Sequence, residues 1–400
     1  MSAPRHVVVH GAALAEDVGR LALRLLDDGD LGVIDGTAGT DVVVVRESES
    51  DDRGDSAATA DGAVLVCQVE ADAVRCRRVV DGEPGEEVPV TVVPASIDVF
   101  DRVRGIFETD VLRDRAVAVL GLGSGGSFIV RELAKAGVGR FLLLDHDRLE
   151  PGNVSRHECG LNDVGRLKAL AVRDLVHRHN PAAEVVTSTL HIDGKTRHEV
   201  LALIGKLQAD LVVCATDSRE SRLLVNRLCV ENGLPMVIGG VFQRAYGGIV
   251  QRVIPGLTAC YQCYVQALPA QAGDTEISSE ADAARFSYTD RAVLPQPGLS
   301  TDVIPIALHM VKLSLVELLG QESPAFRGLS QDLVAPLYQW VNRREAAHAG
   351  LAPMGVSVDE LSVLRWYGVL LPRLDDCAGC GKREVTVTDE LFPVEPPPQP

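Results

Sequence analysis

RAVAVLGLGSGGSFIVRELAKAGVGRFLLLDHD, residues 115–147, is the stretch of sequence that decides the fold. Its Val-rich run Ala116–Leu120 and a second apolar run at 141–144 are typical of strands that are buried on both faces. Between them, residues 127–137 carry apolar side chains at helical spacing and end in a glycine. The stretch therefore predicts a strand, a glycine turn, a helix and a second strand, in that order.

The glycine turn contains Gly121, Gly123, Gly125 and Gly126. Glycines let the backbone approach a phosphate closely, and the start of a helix offers free N–H groups and the positive end of the helix dipole. Asp145 follows the second strand, about 20 residues beyond the glycines, where an acid is placed to bind a ribose hydroxyl. We therefore predict a nucleotide site here, against the alternative of a merely structural turn.

The composition favours an α/β protein that binds neither nucleic acid nor membrane. Apolar residues make up 46% of the 400 residues but aromatic residues only 4%, so the core must consist mainly of Val, Leu and Ala. The net charge of −17 argues against a nucleic-acid surface, which needs a basic patch. We see neither an export signal nor an apolar run near the roughly 20 residues that cross a bilayer, so a cytoplasmic location is expected.

The chain is predicted to contain two domains and a tail. Residues 1–100 are expected to form a small accessory α/β domain, a candidate for substrate or partner binding. Residues 101–382 are expected to form the nucleotide-binding domain, and the Pro-rich residues 383–400 a disordered tail. In the first domain, strands are predicted at 6–9, 41–45, 62–69, 73–80 and 88–93, and a helix at 14–27.

The second domain alternates strands and helices, as expected for a doubly wound, mostly parallel Rossmann-like sheet. Helices are predicted at 162–179, 195–206, 218–232 and 302–319. Strands are predicted at 184–190, 210–214 and 235–241, with an added antiparallel strand at 247–254. Residues 268–290 are predicted to be a long crossing loop.

Polar residues that suit a polyphosphate follow the strands. Asp147 and then Asn153 and Arg156 come after the second strand, and an arginine can contact a phosphate through two parallel hydrogen bonds. Lys168 lies in the next predicted helix, where a surface position is the alternative. Asp217 follows a buried strand at the sheet edge that binds ligands; it suits Mg²⁺, and a helix N-cap is its other interpretation.

Two C-x-x-C pairs, Cys260 with Cys263 and Cys377 with Cys380, predict a metal site. Four thiolates from two such pairs form a closed tetrahedral site for Zn²⁺, which would be structural. Four free thiols or a redox pair are the alternatives. Of the other cysteines, Cys67, Cys76, Cys214 and Cys229 are interpreted as small core residues. Cys159 has polar neighbours, yet we also interpret it as structural.

The motifs GLGSGG, DHD, N-x-x-R, VGRLK, ATDS and the two C-x-x-C pairs together resemble the bacterial branch of the ubiquitin-activating-enzyme superfamily. The resemblance covers about residues 100–382 and implies adenylation of the C-terminal carboxylate of a ubiquitin-like protein or peptide by Mg-ATP. It implies that ATP binds at the four glycines, that Asp145 binds the ribose and that Asn153, Arg156 and Lys168 contact the phosphates. It implies further that Asp217 holds Mg²⁺.

The resemblance also implies a homodimer, in which an upstream arginine, here Arg102 or Arg104, reaches the partner's ATP. Family members that form a thioester usually carry the cysteine in the crossing loop, but residues 264–376 contain none. The acyl-adenylate is therefore expected to pass to a separate thiol, sulfur or amine acceptor. The family's usual glutamine after the motif arginine is replaced by His157.

Three other functions stay open at this point. A NAD-dependent oxidoreductase uses a similar fold, although Arg156, Lys168 and Asp217 suit phosphates and Mg²⁺ better than hydride transfer. A catalytically silent scaffold of the same fold is a second alternative. A transfer-RNA-modifying relative is a third, which the acidic charge disfavours.

Overall fold

The chain divides into two units, Met1–Val99 and Phe100–Pro400, in the computed structural model. The residues that the structure describes are 4–10, 20–26, 30–35, 40–46, 63–69, 73–93, 99–103, 108–268, 298–320, 323–344 and 360–381. The elements below are numbered in chain order among these residues. Most of the predicted crossing loop, the predicted Pro-rich tail and Arg104 lie outside them.

The described part of the first unit is built of strands. They are β1 His6–His10, β2 Arg20–Leu21, β3 Arg24–Leu26, β4 Leu31–Ile34, β5 Val42–Arg46, β6 Leu65–Val69, β7 Val74–Val80, β8 Glu83–Val88 and β9 Val90–Val93. One sheet has the order β3-β4-β1-β9 and the other β2-β5-β6-β7-β8. Apolar side chains from both sheets, among them Val7, Ile34, Val44 and Leu65, form one core.

The predicted helix at 14–27 is wrong where the structure describes that segment. Arg20–Leu21 and Arg24–Leu26 are strands. Leu21 and Leu23 are buried whereas Arg24 and Leu26 are exposed, so burial alternates every second residue. A two-residue alternation is the strand period, and the apolar spacing of this segment fits both periods.

Cys67 and Cys76 form a disulfide. They face each other across the antiparallel pair β6 and β7, and both are fully buried. The prediction that both are small core residues is thus confirmed, and the structure adds the bridge between them. The sequence alone does not give the register that brings them together.

The second unit is organised around one sheet of eight strands. They are β10 Ala116–Leu120, β11 Arg140–Leu144, β12 Glu184–Ser188, β13 Leu211–Cys214, β14 Met236–Val241, β15 Gly247–Val253, β16 Leu337–Val341 and β17 Arg365–Val369. Their order is β12-β11-β10-β13-β14-β15-β16-β17. Strands β10–β14 are parallel, and β15–β17 continue the sheet antiparallel. The predicted Rossmann-like fold is confirmed, with β16 and β17 added beyond the one antiparallel strand predicted.

Helices cover both faces of this sheet. They are α1 Thr109–Arg113, α2 Ser124–Ala136, α3 Lys168–His179, α4 Arg197–Leu207, α5 Arg219–Glu231, α6 Tyr261–Ala267, α7 Ser300–Leu319 and α8 Arg327–Asp332. Val117 and Val119 of β10 pack in the core that contains α2, α3 and α7. Ala118 and Leu120 pack in the core that contains α4, α5 and α6. Among the described helices, none combines the length and the apolar character that a membrane span needs.

Helix α3 is shorter than predicted. Residues Leu161–Asp163 form a 3-10 turn, and Gly165 has a φ of +88°, outside the helical region. Gly165 instead donates a backbone hydrogen bond to Leu149. Helix α3 therefore begins at Lys168, and the segment between the second strand and α3 folds back along itself.

The strand order reverses between β10 and β13, which are neighbours although they are distant in the sequence. Helices that leave two such strands depart to opposite faces of the sheet, so a crevice opens beyond the carboxyl ends of the strands. Gly121 follows β10 and Asp217 lies shortly after β13, at this crevice.

Candidate functional site

The glycine turn after β10 divides into two kinds of position. Gly121 has a φ of +90°, and a Cβ on it would lie 2.7 Å from the carbonyl oxygen of Ala215. A Cβ on Gly126 would lie 2.0 Å from the carbonyl oxygen of Gly121. These two glycines pack the turn against the sheet, so a side chain cannot be accommodated there.

Gly123 instead faces open space, and a Cβ on Gly125 would meet Ala307 and Val303 only at an ordinary contact distance of 3.9 Å. Gly123 is the N-cap of α2, and both glycines line a cavity of about 400 Å³. The first amides of a helix have no intrahelical acceptor and carry a partial positive charge. The turn therefore presents an anion-binding helix terminus to the cavity.

The backbone of Leu122, in the middle of the turn, is held on both sides. Its N–H donates to Asp145 Oδ2 at 2.7 Å, and its carbonyl oxygen lies 2.8 Å from His157 Nε2. The other oxygen of the Asp145 carboxylate accepts the N–H of Asp147 at 2.9 Å. Asp145 is thus buried in the support of the turn and does not line the cavity, unlike Asp147.

The cavity collects side chains from four segments that follow strands. The predicted residues that line it are Gly123, Gly125, Asp147, Asn153, Arg156, Lys168 and Asp217. The lining side chains that the sequence did not single out for the site include Arg148, Glu150, His157 and Arg222. Gly121, Gly126 and Asp145 shape the turn from outside the cavity wall.

Lys168 and Asp147 form an ion pair at the cavity wall. Lys168 Nζ lies 2.8 Å from Asp147 Oδ2, and only 9% of Lys168 is exposed. Partial burial opposes ionisation of Asp147, but the hydrogen bond and charge of Lys168 outweigh it and hold the pKa of the carboxyl below its ordinary value. The surface alternative for Lys168 is thus contradicted by its burial.

Asn153 and Arg156 belong to a short segment that is fastened to helix α2. Asn153 ends a 3-10 turn and accepts the N–H of Glu150 at 3.0 Å. Arg156 is half-buried, and its side chain points along the segment toward the carbonyl oxygen of Gly152, 3.4 Å away. Glu158 pairs with Arg131 of α2, which keeps the segment beside the start of that helix.

Asp217 lies beyond β13 on the opposite side of the turn. It is exposed and lines the cavity. Ser218, rather than Asp217, is the N-cap of α5, since Ser218 Oγ accepts the N–H of Ser221 at 3.1 Å. The alternative N-cap role therefore belongs to Ser218.

Arg222 is a buried cation in the floor of the cavity. Only 4% of it is exposed, and its Nε donates to the carbonyl oxygen of Thr216 at 2.9 Å. A Cβ on Gly240 would lie 2.2 Å from the Arg222 guanidinium. Its place one helical turn after the N-cap is the signal that could have identified it, because that turn of α5 faces the crevice.

Strand β14 and helix α7 form the part of the cavity lining that has small and apolar residues. Strand β14 contributes Gly239 and Gly240, and helix α7 contributes Val303, Ile306 and Met310. A Cβ on Gly239 would lie 2.7 Å from Met310 Sδ, so the strand and the helix approach closely. The cavity is thus lined by charged side chains as well as by apolar side chains of α7, and the Arg222 guanidinium lies against Gly240 of β14.

The four cysteines of the C-x-x-C pairs lie together away from this cavity, in the core on the α5 and α6 face of the sheet. The Sγ atoms of Cys260 and Cys263 are 3.9 Å apart, those of Cys260 and Cys377 3.7 Å, and those of Cys263 and Cys380 3.4 Å. Tetrahedral zinc with Zn–S bonds of ~2.3 Å places its sulfurs ~3.8 Å apart. All four are buried, and the set of donors fits a closed thiolate site.

The remaining cysteines of the second unit lie in the core, as predicted. Cys214 and Cys229 are fully buried, and Cys159 is 1% exposed. Burial raises the pKa of the Cys159 thiol to about 11. A thiol with that pKa is mostly protonated at neutral pH and is a weak nucleophile.

Arg102 is one of the two upstream arginines that the family resemblance implied could reach a partner's ATP. It is exposed in this structure.

Comparison with known proteins identifies the family of the second unit. A model described as the ThiF family matches residues 99–346. Ubiquitin-like modifier-activating enzyme 5 of Caenorhabditis briggsae is 31% identical over 172 residues, which are 41% of this chain and 39% of the relative. The same enzyme of Branchiostoma floridae is 30% identical over 195 residues, 46% of this chain and 45% of the relative. The chain thus spans less than half the length of these curated relatives.

Among solved structures, Escherichia coli MccB with MccA-N7isoASN has a TM-score of 0.51 and 18% identity. The match covers 72% of this chain and 76% of that chain. The microcin C7 biosynthetic enzyme MccB in complex with N-formylated MccA has a TM-score of 0.50 at 19% identity, over 68% and 69% of the two chains. At these identities the likeness establishes a shared fold.

Proposed function

Because the chain belongs to the ThiF family, we propose that it is an adenylyltransferase that uses ATP to activate the C-terminal carboxylate of a ubiquitin-like protein or a peptide. The observation that carries the proposal is the convergence of Arg156, Lys168 and Asp217 on one cavity at the start of α2. The names of the relatives support the same class, since they are modifier-activating enzymes and an enzyme bound to the MccA peptide.

We propose that the phosphates of ATP lie over the start of α2, against Gly123 and Gly125. The side chains of Arg156 and Lys168 would contact the phosphates, and Asn153 would add an amide donor. Arg148 and Arg222 are further cations in the lining. Fixed positive charge of this kind stabilises a phosphoryl transition state and the departing pyrophosphate without reorganisation.

The proposed reaction breaks one bond and forms one. An oxygen of the substrate carboxylate attacks the α-phosphorus of ATP, and the bond from that phosphorus to the bridging oxygen of pyrophosphate breaks. The products are the acyl-adenylate and pyrophosphate. A carboxylate and a triphosphate repel each other, so the cations of the cavity and its positioning of both groups supply the catalysis.

Mg²⁺ would be held by Asp217, which is exposed and lines the cavity. A magnesium ion bound between a carboxylate and phosphates neutralises charge on the nucleotide. We assign the ribose to the acids that follow β11. Asp147 faces the cavity, and Asp145 places both Asp147 and the glycine turn through its two carboxylate oxygens.

The C-terminal carboxylate of the substrate would reach the nucleotide in this cavity. Since residues 264–376 contain no cysteine, the adenylate would pass to a separate thiol, sulfur or amine acceptor. We also propose that the active form is a homodimer in which Arg102 or Arg104 reaches the partner's nucleotide. The first unit, residues 1–99, would serve as an accessory domain for substrate or partner binding.

Zinc would be held by Cys260, Cys263, Cys377 and Cys380 as a structural ion. The sulfur separations support this assignment, as does the absence of any open position among the four thiolates. The ion would link residues 377–381 to helix α6, which lies much earlier in the chain. Its contribution would be to stability rather than to adenylation.

An exchange assay with labelled pyrophosphate tests the proposed function. The purified chain would be incubated with Mg-ATP, labelled pyrophosphate and a candidate acyl partner, chosen as a small protein ending in Gly-Gly or a short peptide whose gene neighbours this one. Label appearing in ATP only with the partner supports adenylation. Tight binding of NAD without ATP binding points to an oxidoreductase, and binding of ATP without exchange for any partner tested points to a scaffold.

A further inference from the structure

The imidazole of His157 is placed between two backbone groups. His157 is 8% exposed. Its Nδ1 lies 3.0 Å from the N–H of Cys159, and its Nε2 lies 2.8 Å from the carbonyl oxygen of Leu122. A backbone N–H is always a donor and a carbonyl is always an acceptor. Nδ1 must therefore be unprotonated and Nε2 must carry the hydrogen, which assigns one neutral tautomer to this residue.

The carbonyl that His157 holds belongs to the glycine turn. The N–H of the same residue, Leu122, donates to Asp145 Oδ2 at 2.7 Å. The peptide groups on either side of Leu122 are thus fixed by two side chains from different segments. Gly123, the N-cap of α2, follows immediately, so the direction of the first amides of α2 depends on both hydrogen bonds.

We infer that His157 is a positioning residue for the nucleotide: in its neutral Nε2–H form it holds the glycine turn in the conformation that binds phosphate, and acidification releases the turn. This inference rests on the proposed function for its ligand, ATP. His157 acts through Leu122 and needs no contact with the nucleotide. The remaining anchor of Leu122, Asp145, cannot replace it because the carboxylate accepts the N–H and leaves the carbonyl alone.

Protonation of His157 breaks the arrangement at Nδ1. A hydrogen on Nδ1 would meet the N–H of Cys159, and two donors repel each other. The charged groups that face the ring are Asp145 after β11, Asp163 in the 3-10 turn before α3, and Lys168 at the start of α3. The two acids favour the imidazolium, and Lys168 opposes it.

Burial is the largest influence on the ring and lowers the pKa of His157 from its usual 6.5. The neutral form therefore predominates at neutral pH. The folded state prefers the neutral ring, so the contribution of His157 to the stability of the folded state is complete above pH 6.5. It is lost as the pH falls through the lower pKa of the folded protein.

Two substitutions at position 157 distinguish variants that can keep the two hydrogen bonds of the side chain from variants that cannot. Glutamine has an amide oxygen that can accept the Cys159 N–H and an amide N–H that can donate to Leu122, and it does not titrate. Alanine removes both hydrogen bonds. His177 is a matched control, because it also has a ring nitrogen close to a backbone carbonyl: its Nε2 lies 3.2 Å from the carbonyl oxygen of Ala183. His177 belongs to the last turn of α3 and does not line the cavity.

The test measures the Kd of Mg-ATP by calorimetry for the wild-type chain and the variants His157→Gln, His157→Ala and His177→Ala, between about pH 5 and pH 8. ATP itself titrates in this range, so each Kd is divided by that of His157→Gln at the same pH. We expect the wild-type ratio to rise as the pH falls, and His157→Ala to bind about tenfold more weakly at neutral pH. His177→Ala should follow the wild type.

Equal Kd values and equal pH profiles for His157→Ala and the wild type would overturn the inference. A wild-type chain that fails to bind Mg-ATP at neutral pH would instead reject the proposed function. The tautomer is then tested without a ligand, by NMR spectra of protein labelled with ¹⁵N-histidine. The signal of His157 is identified as the one that is missing from the spectrum of His157→Gln. A protonated Nδ1 at neutral pH would contradict the assignment, and melting temperatures show whether each variant is folded.

Discussion

Lys168 Nζ lies 2.8 Å from Asp147 Oδ2, and the backbone N–H of Lys168 donates to the carbonyl oxygen of Asp147 at 3.0 Å. The two residues are 21 positions apart in the sequence. This double contact closes the segment that carries Asn153 and Arg156 onto the start of α3. It also leaves a lysine charge at the cavity wall, already partly compensated by a carboxylate.

Replacing Lys168 by Ala should reduce the rate of pyrophosphate exchange by about 100-fold or more, since a fixed charge at the phosphates is lost. Lys135→Ala is the matched control, because Lys135 is an exposed lysine of α2 that pairs with Glu132. The exchange assay is run for both variants at saturating ATP. Similar rates for the two would remove Lys168 from the proposed mechanism.

The ion pair between Lys168 and Asp147 should not titrate in the pyrophosphate-exchange assay. Lys168 holds the pKa of Asp147 below 3.8, so the ion pair is complete above that pH and is lost only as the pH falls through the lower folded value. A pH profile of nucleotide binding that falls near pH 6 would therefore belong to another group, and Asp147→Asn should leave the pH of that fall unchanged.

Asp217→Asn should abolish exchange while leaving the melting temperature within about 2 °C of the wild type, because the carboxylate is exposed. The loss follows from the missing negative ligand for Mg²⁺. Asp332→Asn, an exposed acid at the end of α8, is the control with the same change of charge. Exchange that survives in Asp217→Asn would contradict the magnesium role.

Cys377→Ser should lower the zinc content from one ion per chain toward zero and should lower the melting temperature, because a structural thiolate site stabilises the folded state. Metal analysis by mass spectrometry gives the first quantity. Cys159→Ala removes a buried thiol outside the cluster, so its zinc content and its adenylate formation should match the wild type. Wild-type protein that contains no zinc when purified without chelators would refute the site.

Gly126→Ala should destabilise the protein by about 1–3 kcal/mol or move the turn, because the new Cβ would meet a carbonyl oxygen at 2.0 Å. Gly152→Ala is the control, since nothing lies within 4 Å of its added Cβ. Denaturant unfolding of both variants measures the difference. An unfolding free energy for Gly126→Ala equal to that of Gly152→Ala would show that the turn accommodates the added Cβ without loss of stability.

Local sequence determined the framework of the second unit. Two apolar runs, a glycine turn and a helix follow one another within 115–147, and the spacing of residues close in the chain indicates each of them. The carboxyl ends of parallel strands meet at one edge of the sheet. Residues that follow different strands, such as Asn153 and Asp217, could therefore be assigned to one site before any contact was known, whereas the role of Lys168 was implied by the family resemblance.

The tertiary structure decided which of those residues face the cavity. Asp145 follows its strand as predicted, but its two oxygens are used by backbone amides, whereas Asp147 faces the cavity. Arg222 and His157 took their places because segments distant in the sequence pack against them. The pairing of Cys67 with Cys76 and the strands at 20–26 depended on register in the same way.

The sequence by itself thus determined the order of strands and helices over residues 115–253, the glycine turn and the four zinc-ligand candidates, because short-range spacing encodes them. Only the tertiary structure decided that Leu122 is held by Asp145 and His157, and that the strands at 20–26 replace a helix. Those outcomes depend on hydrogen bonds and burial between segments far apart in the chain, and local spacing carries no record of them.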